Sequence, residues 1–265
     1  MNGSRSVRAK KSYGQHFLTS EAIANRIAYS LERTDEYARI LEVGPGQGML
    51  TKYLLERDET IFAVEADRDM VAYLTKHLPE VVPRLIQEDF LKVRLEEVME
   101  HRPFALIGNF PYNISSQILL KMLAVRAYVP EMVGMFQREV AERVVAEPGS
   151  KTYGVISVFV QAFYTGTYLF TVKAGSFNPP PKVQSAVIRL SRREDQDLGC
   201  DEKLFRKVVK AAFGTRRKML RNTMKPFLPK ELLMEEAFFQ QRPERLSVAQ
   251  FVELTQRIEA HRAAE

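Results

Sequence analysis

Arg39-Ile-Leu-Glu-Val-Gly-Pro-Gly-Gln-Gly48 joins an apolar run to three glycines, and its reading decides the fold. Arg39 to Val43 reads as a buried strand, and the glycine turn opens a helix from Met49 to about Leu55. Glycine lets the backbone turn sharply and approach a ligand closely, because no Cβ intrudes. Dinucleotide enzymes place the third glycine of the related loop one residue further on. The spacing Gly44, Gly46, Gly48 favours a nucleoside that bears an amino acid over a pyrophosphate. A ligand-free strand-to-helix turn would use the same residues, so the loop alone is weak evidence.

Outward from this stretch, short apolar runs alternate with amphipathic segments. Thr60 to Val64, Arg84 to Gln87, Phe104 to Gly108 and Glu131 to Gln137 read as strands. Met70 to Leu78, Ile114 to Val125 and Glu139 to Ala146 read as helices, the second with Ile114, Ile118, Leu119 and Met122 on one stripe. Strand–helix alternation of this kind predicts an α/β fold: a Rossmann-like, mostly parallel central sheet with helices on both faces. A closing strand, Ser185 to Leu190, precedes a polar stretch, Ser191 to Asp201, with the composition of a linker. Beyond it Phe205, Val208, Val209, Ala212 and Phe213 form a helical stripe, and Leu246 to Arg257 reads as the last helix. We expect a larger α/β domain over 1–195 and a small helical domain over 196–265.

Acidic residues follow the second and third strands. Glu65, about twenty residues past the loop, is placed to accept hydrogen bonds from ribose hydroxyls, and Asp89 from an adenine amine. Nicotinamide dinucleotides and S-adenosylmethionine share the adenosine half, so these residues leave both open. Asn109-Phe-Pro-Tyr112, after the fourth strand, separates them. The adenine N6 lone pair is delocalised into the ring, so the amine is a poor nucleophile. Two acceptors aimed at its hydrogens favour a pyramidal nitrogen and offset the charge that grows during attack. The Asn109 side-chain oxygen and the Phe110 backbone carbonyl would supply them, Pro111 stiffens the turn, and Tyr112 offers a face on which a base stacks. Phe177, in Gly175-Ser-Phe-Asn-Pro-Pro-Pro-Lys-Val183, reads either as a second jaw of a base clamp or as a core residue, and Lys182 as a phosphate contact. Candidate catalytic residues are therefore Asn109, Phe110, Tyr112 and Phe177. The cofactor expected is S-adenosylmethionine, with Gly44, Gly46, Glu65, Asp89 and Asn109 against it.

A chain of 265 residues with 45% hydrophobic and 27% charged side chains is able to bury a sizeable core. The single cysteine, Cys200, excludes an intramolecular disulfide and fits a reducing, cytoplasmic setting. No stretch resembles a signal peptide or a membrane span, so no membrane partner is expected. The four histidines are scattered, which gives no metal site. The net charge of +6 favours a polyanionic partner. Its distribution is more telling: one cluster is Arg5, Arg8, Lys10 and Lys11, the other Arg206, Lys207, Lys210, Arg216, Arg217, Lys218 and Arg221.

The chain is similar, almost end to end, to the bacterial small-subunit ribosomal RNA adenine N6,N6-dimethyltransferases. The resemblance is carried by Tyr13-Gly-Gln-His-Phe-Leu18, Glu42-Val-Gly-Pro-Gly-Gln-Gly48, Asn109-Phe-Pro-Tyr-Asn-Ile-Ser115, Phe177-Asn-Pro-Pro-Pro-Lys-Val183 and Phe213-Gly-Thr-Arg-Arg-Lys-Met-Leu220. It implies that His16 and Leu18 line the cofactor site. It also implies a substrate: two adjacent adenosines in a hairpin near the 3′ end of small-subunit (16S) rRNA, presented on a pre-assembled small subunit to a monomeric enzyme acting in ribosome biogenesis. Arg216, Arg217, Lys218, Arg221 and Lys182 are the expected RNA contacts. Two positions depart from the usual pattern, which has Asn where His16 stands and Leu where Phe110 stands. Rival readings are the erythromycin-resistance methyltransferases acting on large-subunit rRNA, a non-catalytic nucleic-acid-binding relative, and, more distantly, a nicotinamide dehydrogenase.

Overall fold

The computed structural model describes residues 14–215 and 218–264. The basic cluster Arg5 to Lys11, Tyr13, Arg216 and Arg217 lie outside the described residues. By contact density the chain divides into two units. One comprises Met1–Ala141 with Gly166–Arg192, and the other Glu142–Thr165 with Arg193–Glu265.

The strands, in chain order, are β1 (Phe17–Leu18), β2 (Arg39–Val43), β3 (Thr60–Val64), β4 (Leu85–Ile86), β5 (Ala105–Asn109), β6 (Glu131–Gln137), β7 (Tyr164–Val172), β8 (Phe177–Asn178) and β9 (Ser185–Arg192). Seven of them form one sheet in the order β4-β3-β2-β5-β6-β9-β7. Pairings β2–β3, β3–β4, β2–β5 and β5–β6 are parallel, and β6–β9 is antiparallel. The runs Ile40 to Val43, Ala105 to Gly108 and Glu131 to Phe136 are buried throughout, as parallel strands covered on both faces must be. This is the expected α/β sheet. The chain enters it at β2, walks outward through β3 to β4, then returns to β5 on the other side of β2. Strand order reverses between β2 and β5, so a crevice opens at their carboxyl ends.

One connection braces that crevice, and a second lies at the opposite, amino-terminal edge of the strands. The helix Ser115–Ala124 buries Ile118, Leu119, Met122 and Leu123. From it Lys121 donates to the carbonyls of Phe90 and Val93 at 2.6 and 2.5 Å, which fixes the loop after β4. Glu131 at the start of β6 is fully buried, but its carboxylate accepts from the Glu32 and Arg33 N–H groups and the Tyr37 hydroxyl. A buried carboxylate so satisfied is stable where an unpaired one would not be.

In the second unit the helix Glu202–Phe213 buries Leu204, Phe205, Val208, Val209 and Ala212 on one stripe. The Asp201 side chain caps it by accepting from Leu204 N–H at 2.6 Å. The helix Val248–Ala264 adds Phe251, Leu254 and Ile258, with the Phe213 and Phe251 rings 5.8 Å apart. Val155–Gln161 is also helical. Its Val-Ile-Ser-Val-Phe-Val run favours a strand by local preference, yet burial of Val158, Phe159 and Val160 overrides it. Gln161 locks it by donating to the carbonyls of Val144 and Ala146.

Candidate active site at the switch point

Gly44, Gly46 and Gly48 have φ values of +68°, +55° and +78°, a left-handed conformation that a side chain would strain. Gly44 N–H donates to the Val64 carbonyl at 2.9 Å, tying the loop to the end of β3. Gly46 N–H donates to Glu65 Oε2 at 3.1 Å, and Asp67 N–H to Glu65 Oε1 at 2.8 Å. Each carboxylate oxygen keeps a second lone pair for a ligand. Asp89 Oδ1 accepts from Leu91 N–H at 3.0 Å, which sets its carboxylate in the loop after β4.

Asn109 ends β5. Its Nδ2 donates to the His16 carbonyl at 3.0 Å. That bond fixes the amide, so Oδ1 remains as the acceptor. His16 Nδ1 lies 2.8 Å from the Pro179 carbonyl and donates to it, and the His16 and Tyr112 rings are 5.4 Å apart. The Tyr112 hydroxyl meets Ser185 Oγ at 2.5 Å, and burial pushes its phenol pKa up. The antiparallel β1–β8 pair, with Phe17 opposite Asn178 and Leu18 opposite Phe177, joins the N-terminal segment to the proline-rich one. Thr19 N–H adds a bond to the Ser176 carbonyl at 2.8 Å. Segments more than 150 residues apart in sequence thus meet at Asn109.

These groups line one cleft of about 740 Å³. His16, Leu18, Gly44, Gly46 and Glu65 form part of its wall, as do Asp89, Asn109, Phe110 and Tyr112. The structure therefore gathers nine of the residues singled out from the sequence. Phe177 is not among them: it is 3% exposed and packs in the core with Leu18 and Val187. Lys182 stands in solvent on the segment before β9. Lys218 is exposed and Arg221 half-buried in the second unit. Arg206, a member of the second basic cluster, is engaged with Glu202 at 2.7 Å.

Sequence reasoning passed over Glu42, which is 1% exposed and also lines the cleft. Its Oε2 and the neighbouring Thr51 Oγ1 have no hydrogen-bond partner of normal geometry. Burial, with the Glu65 carboxylate adding to it, pushes the Glu42 pKa up to about 8. Burial likewise raises that of Glu65. An acid inside an otherwise apolar strand was the available signal. Gln15, which donates to Asp67 at 3.1 Å, and Lys121 gave no local signal, since their partners are distant in the chain.

S-adenosylmethionine presents a ribose diol, an exocyclic amine and an ammonium group, all of which donate hydrogen bonds. A wall carrying Glu42, Glu65 and Asp89, with one buried acid oxygen unpartnered, is the acceptor-rich counterpart, and the cleft volume suits a ligand of that size. Fold and cleft together define a class I, S-adenosylmethionine-dependent methyltransferase. The comparisons place it more narrowly. A family profile described as "Ribosomal RNA adenine dimethylase" matches residues 6–259, and the chain belongs to that family. It is 51% identical over 254 residues to the "Ribosomal RNA small subunit methyltransferase A" of Bacteroides thetaiotaomicron, covering 96% of this chain and 95% of that one. With the protein of the same name from Flavobacterium johnsoniae it shares 52% identity, covering 96% and 97%. Among solved structures, a dimethyladenosine transferase from Plasmodium falciparum superposes with a TM-score of 0.78 at 24% identity, covering 92% of this chain and 98% of that one. The 23S rRNA methyltransferase ErmE superposes at 0.69 and 23%, covering 92% and 99%. These two likenesses speak to the fold. A dinucleotide dehydrogenase is set aside.

Proposed function

We propose that this enzyme dimethylates the N6 amines of two adjacent adenosines in a hairpin near the 3′ end of small-subunit rRNA, working on a partly assembled small subunit as a cytoplasmic monomer. Among the described residues no helix is long and apolar enough to cross a membrane. The observation that carries the reading is the Asn109 amide held by the His16 carbonyl.

S-adenosylmethionine would be held by the glycine loop, Glu65 and Asp89 and would supply an electrophilic methyl group. Everything else is positioning. Asn109 Oδ1 and the Phe110 carbonyl would accept the two N6 hydrogens, turning the lone pair outward and offsetting charge on nitrogen as the new bond forms. Tyr112, braced by Ser185, would stack on the extruded base. Asn109 is neutral, so the N6 proton passes to solvent after transfer. After the first transfer the monomethylated amine keeps one N6 hydrogen, so one of the two acceptors still orients it for the second. Lys182, Arg216, Arg217, Lys218 and Arg221 would contact RNA phosphates.

The small-subunit reading follows from the two bacterial relatives near 50% identity. The test is to incubate the enzyme and radiolabelled cofactor with undermethylated small subunits and with large subunits, then map the labelled nucleotides. Two neighbouring adenosines in small-subunit RNA are expected. Label confined to large-subunit RNA would move the enzyme to the resistance branch.

A further inference from the structure

Gly108 and Gly134 are register partners on the parallel strands β5 and β6. Side chains two apart on a strand share a face, so Phe110 lies on the face of Gly108 and Phe136 on that of Gly134. A Cβ at Gly134 would stand 2.2 Å from Phe110 Cε2 and 2.7 Å from Phe136 Cε2. One at Gly108 would stand 2.9 Å from Phe110 Cε1 and 2.7 Å from the Val43 carbonyl oxygen. Neither glycine has a positive φ, so what requires glycine here is space. The Phe110 ring folds back along its own strand, covers both glycines and packs against Phe136 with centroids 5.0 Å apart. It is 1% exposed. The same residue's N–H donates to the Met135 carbonyl at 3.1 Å.

We propose that Gly108 and Gly134 form a socket for the Phe110 ring that positions the Phe110 carbonyl, making Gly134 a rate-setting residue although the proposed chemistry gives it no contact with cofactor or substrate. The inference rests on the acceptor role given above to Asn109 and Phe110. A close-packed interior does not absorb an added atom locally, so a side chain at 134 tilts the ring and carries the adjoining peptide with it. An acceptor moved by about 1 Å meets the amine badly, and such a displacement lowers a rate roughly 100-fold. The adenosine-binding edge, built on β3 and β4, does not depend on this ring. Gly134 is the position to test, because at Gly108 the Val43 backbone stands in the way.

The experiment compares wild type, Gly134→Ala, Phe110→Leu and the double variant, with Asn109→Ala alongside. Turnover on saturating small-subunit substrate, S-adenosylmethionine affinity by calorimetry and thermal melting are measured for each. Gly134→Ala is expected to lower kcat roughly 10- to 100-fold while leaving cofactor affinity near the wild-type value. Leu at 110 ends short of the ring's outer atoms, so the double variant should regain most of the turnover of Phe110→Leu alone, a coupling that independent sites would not show. Wild-type kcat in Gly134→Ala, no recovery in the double variant, or cofactor affinity falling in step with kcat would each overturn the socket. So would loss of cooperative melting in both Gly134 variants, which would make the glycines a packing requirement alone. Full activity in Asn109→Ala would instead overturn the acceptor reading beneath it.

Discussion

In the first unit Glu42 is 1% exposed and the Asn109 amide is fixed by the His16 carbonyl, whereas Lys207, Lys210 and Lys218 of the second unit stand in solvent. The cleft places single atoms, through left-handed glycines and bonds between distant segments. The basic surface places charge without fixing direction. Chemistry on one amine requires the first arrangement. Attraction to a polyanion needs only the second, because phosphate contacts act through net neutralisation and are weakened by salt. One substitution should therefore cripple the cleft, while the basic surface should fail in proportion to the charges removed.

Asn109→Ala carries the largest expected effect. Removing one oriented group from a developing charge lowers turnover roughly 100- to 1000-fold, and RNA affinity should be nearly unchanged. A radiolabelled-methyl assay beside a filter-binding titration checks both, and undiminished turnover would remove Asn109 from its role.

Replacing Lys207, Lys210 and Lys218 together by Ala should do the converse. RNA affinity should fall about tenfold at moderate salt, with the slope of log affinity against log salt reduced by roughly two. Turnover at saturating RNA should hold. A wild-type slope in the triple variant would show these lysines to be idle surface and would erase the contrast between the units.

The smallest effect sharpens the comparison from inside the cleft. The Glu42 pKa is raised to about 8 in the folded chain, above the ordinary value of 4.5 that an unfolded chain would show. Between those values the folded state holds more protons than the unfolded one. The contribution of Glu42 to stability is therefore complete below about pH 4.5 and declines as pH rises towards 8. Glu42→Gln cannot ionise, so its melting temperature relative to wild type should rise steadily across that window. A difference that stays constant with pH would mean that Glu42 is already charged at neutrality.

Much of the first unit was legible from β2 outward, because strands buried on both faces are continuous apolar runs and the helices between them carry one apolar stripe. The expected strand 84–87 shrank to Leu85–Ile86, since only those residues find partners on β3. Among the elements that went unread are the helices Glu21–Ala28, Leu95–Val98 and Val155–Gln161 and the strand β7, and local preference would have made Val155–Gln161 a strand. The two-residue strands β1 and β8 have no pattern to read; they exist only because each pairs with the other.

The sequence by itself determined the sheet, the glycine loop, the acids after β3 and β4, and the chemistry promised by Asn109 to Tyr112, because periodicity and residue type act locally. Tertiary structure alone decided how those pieces become a site: Asn109 turned by His16, His16 tied to Pro179, Phe110 seated over Gly108 and Gly134, Phe177 placed in the core, and Glu42 raised by burial. Each of these depends on a distance between atoms far apart in the chain, and such distances are set only when the core closes.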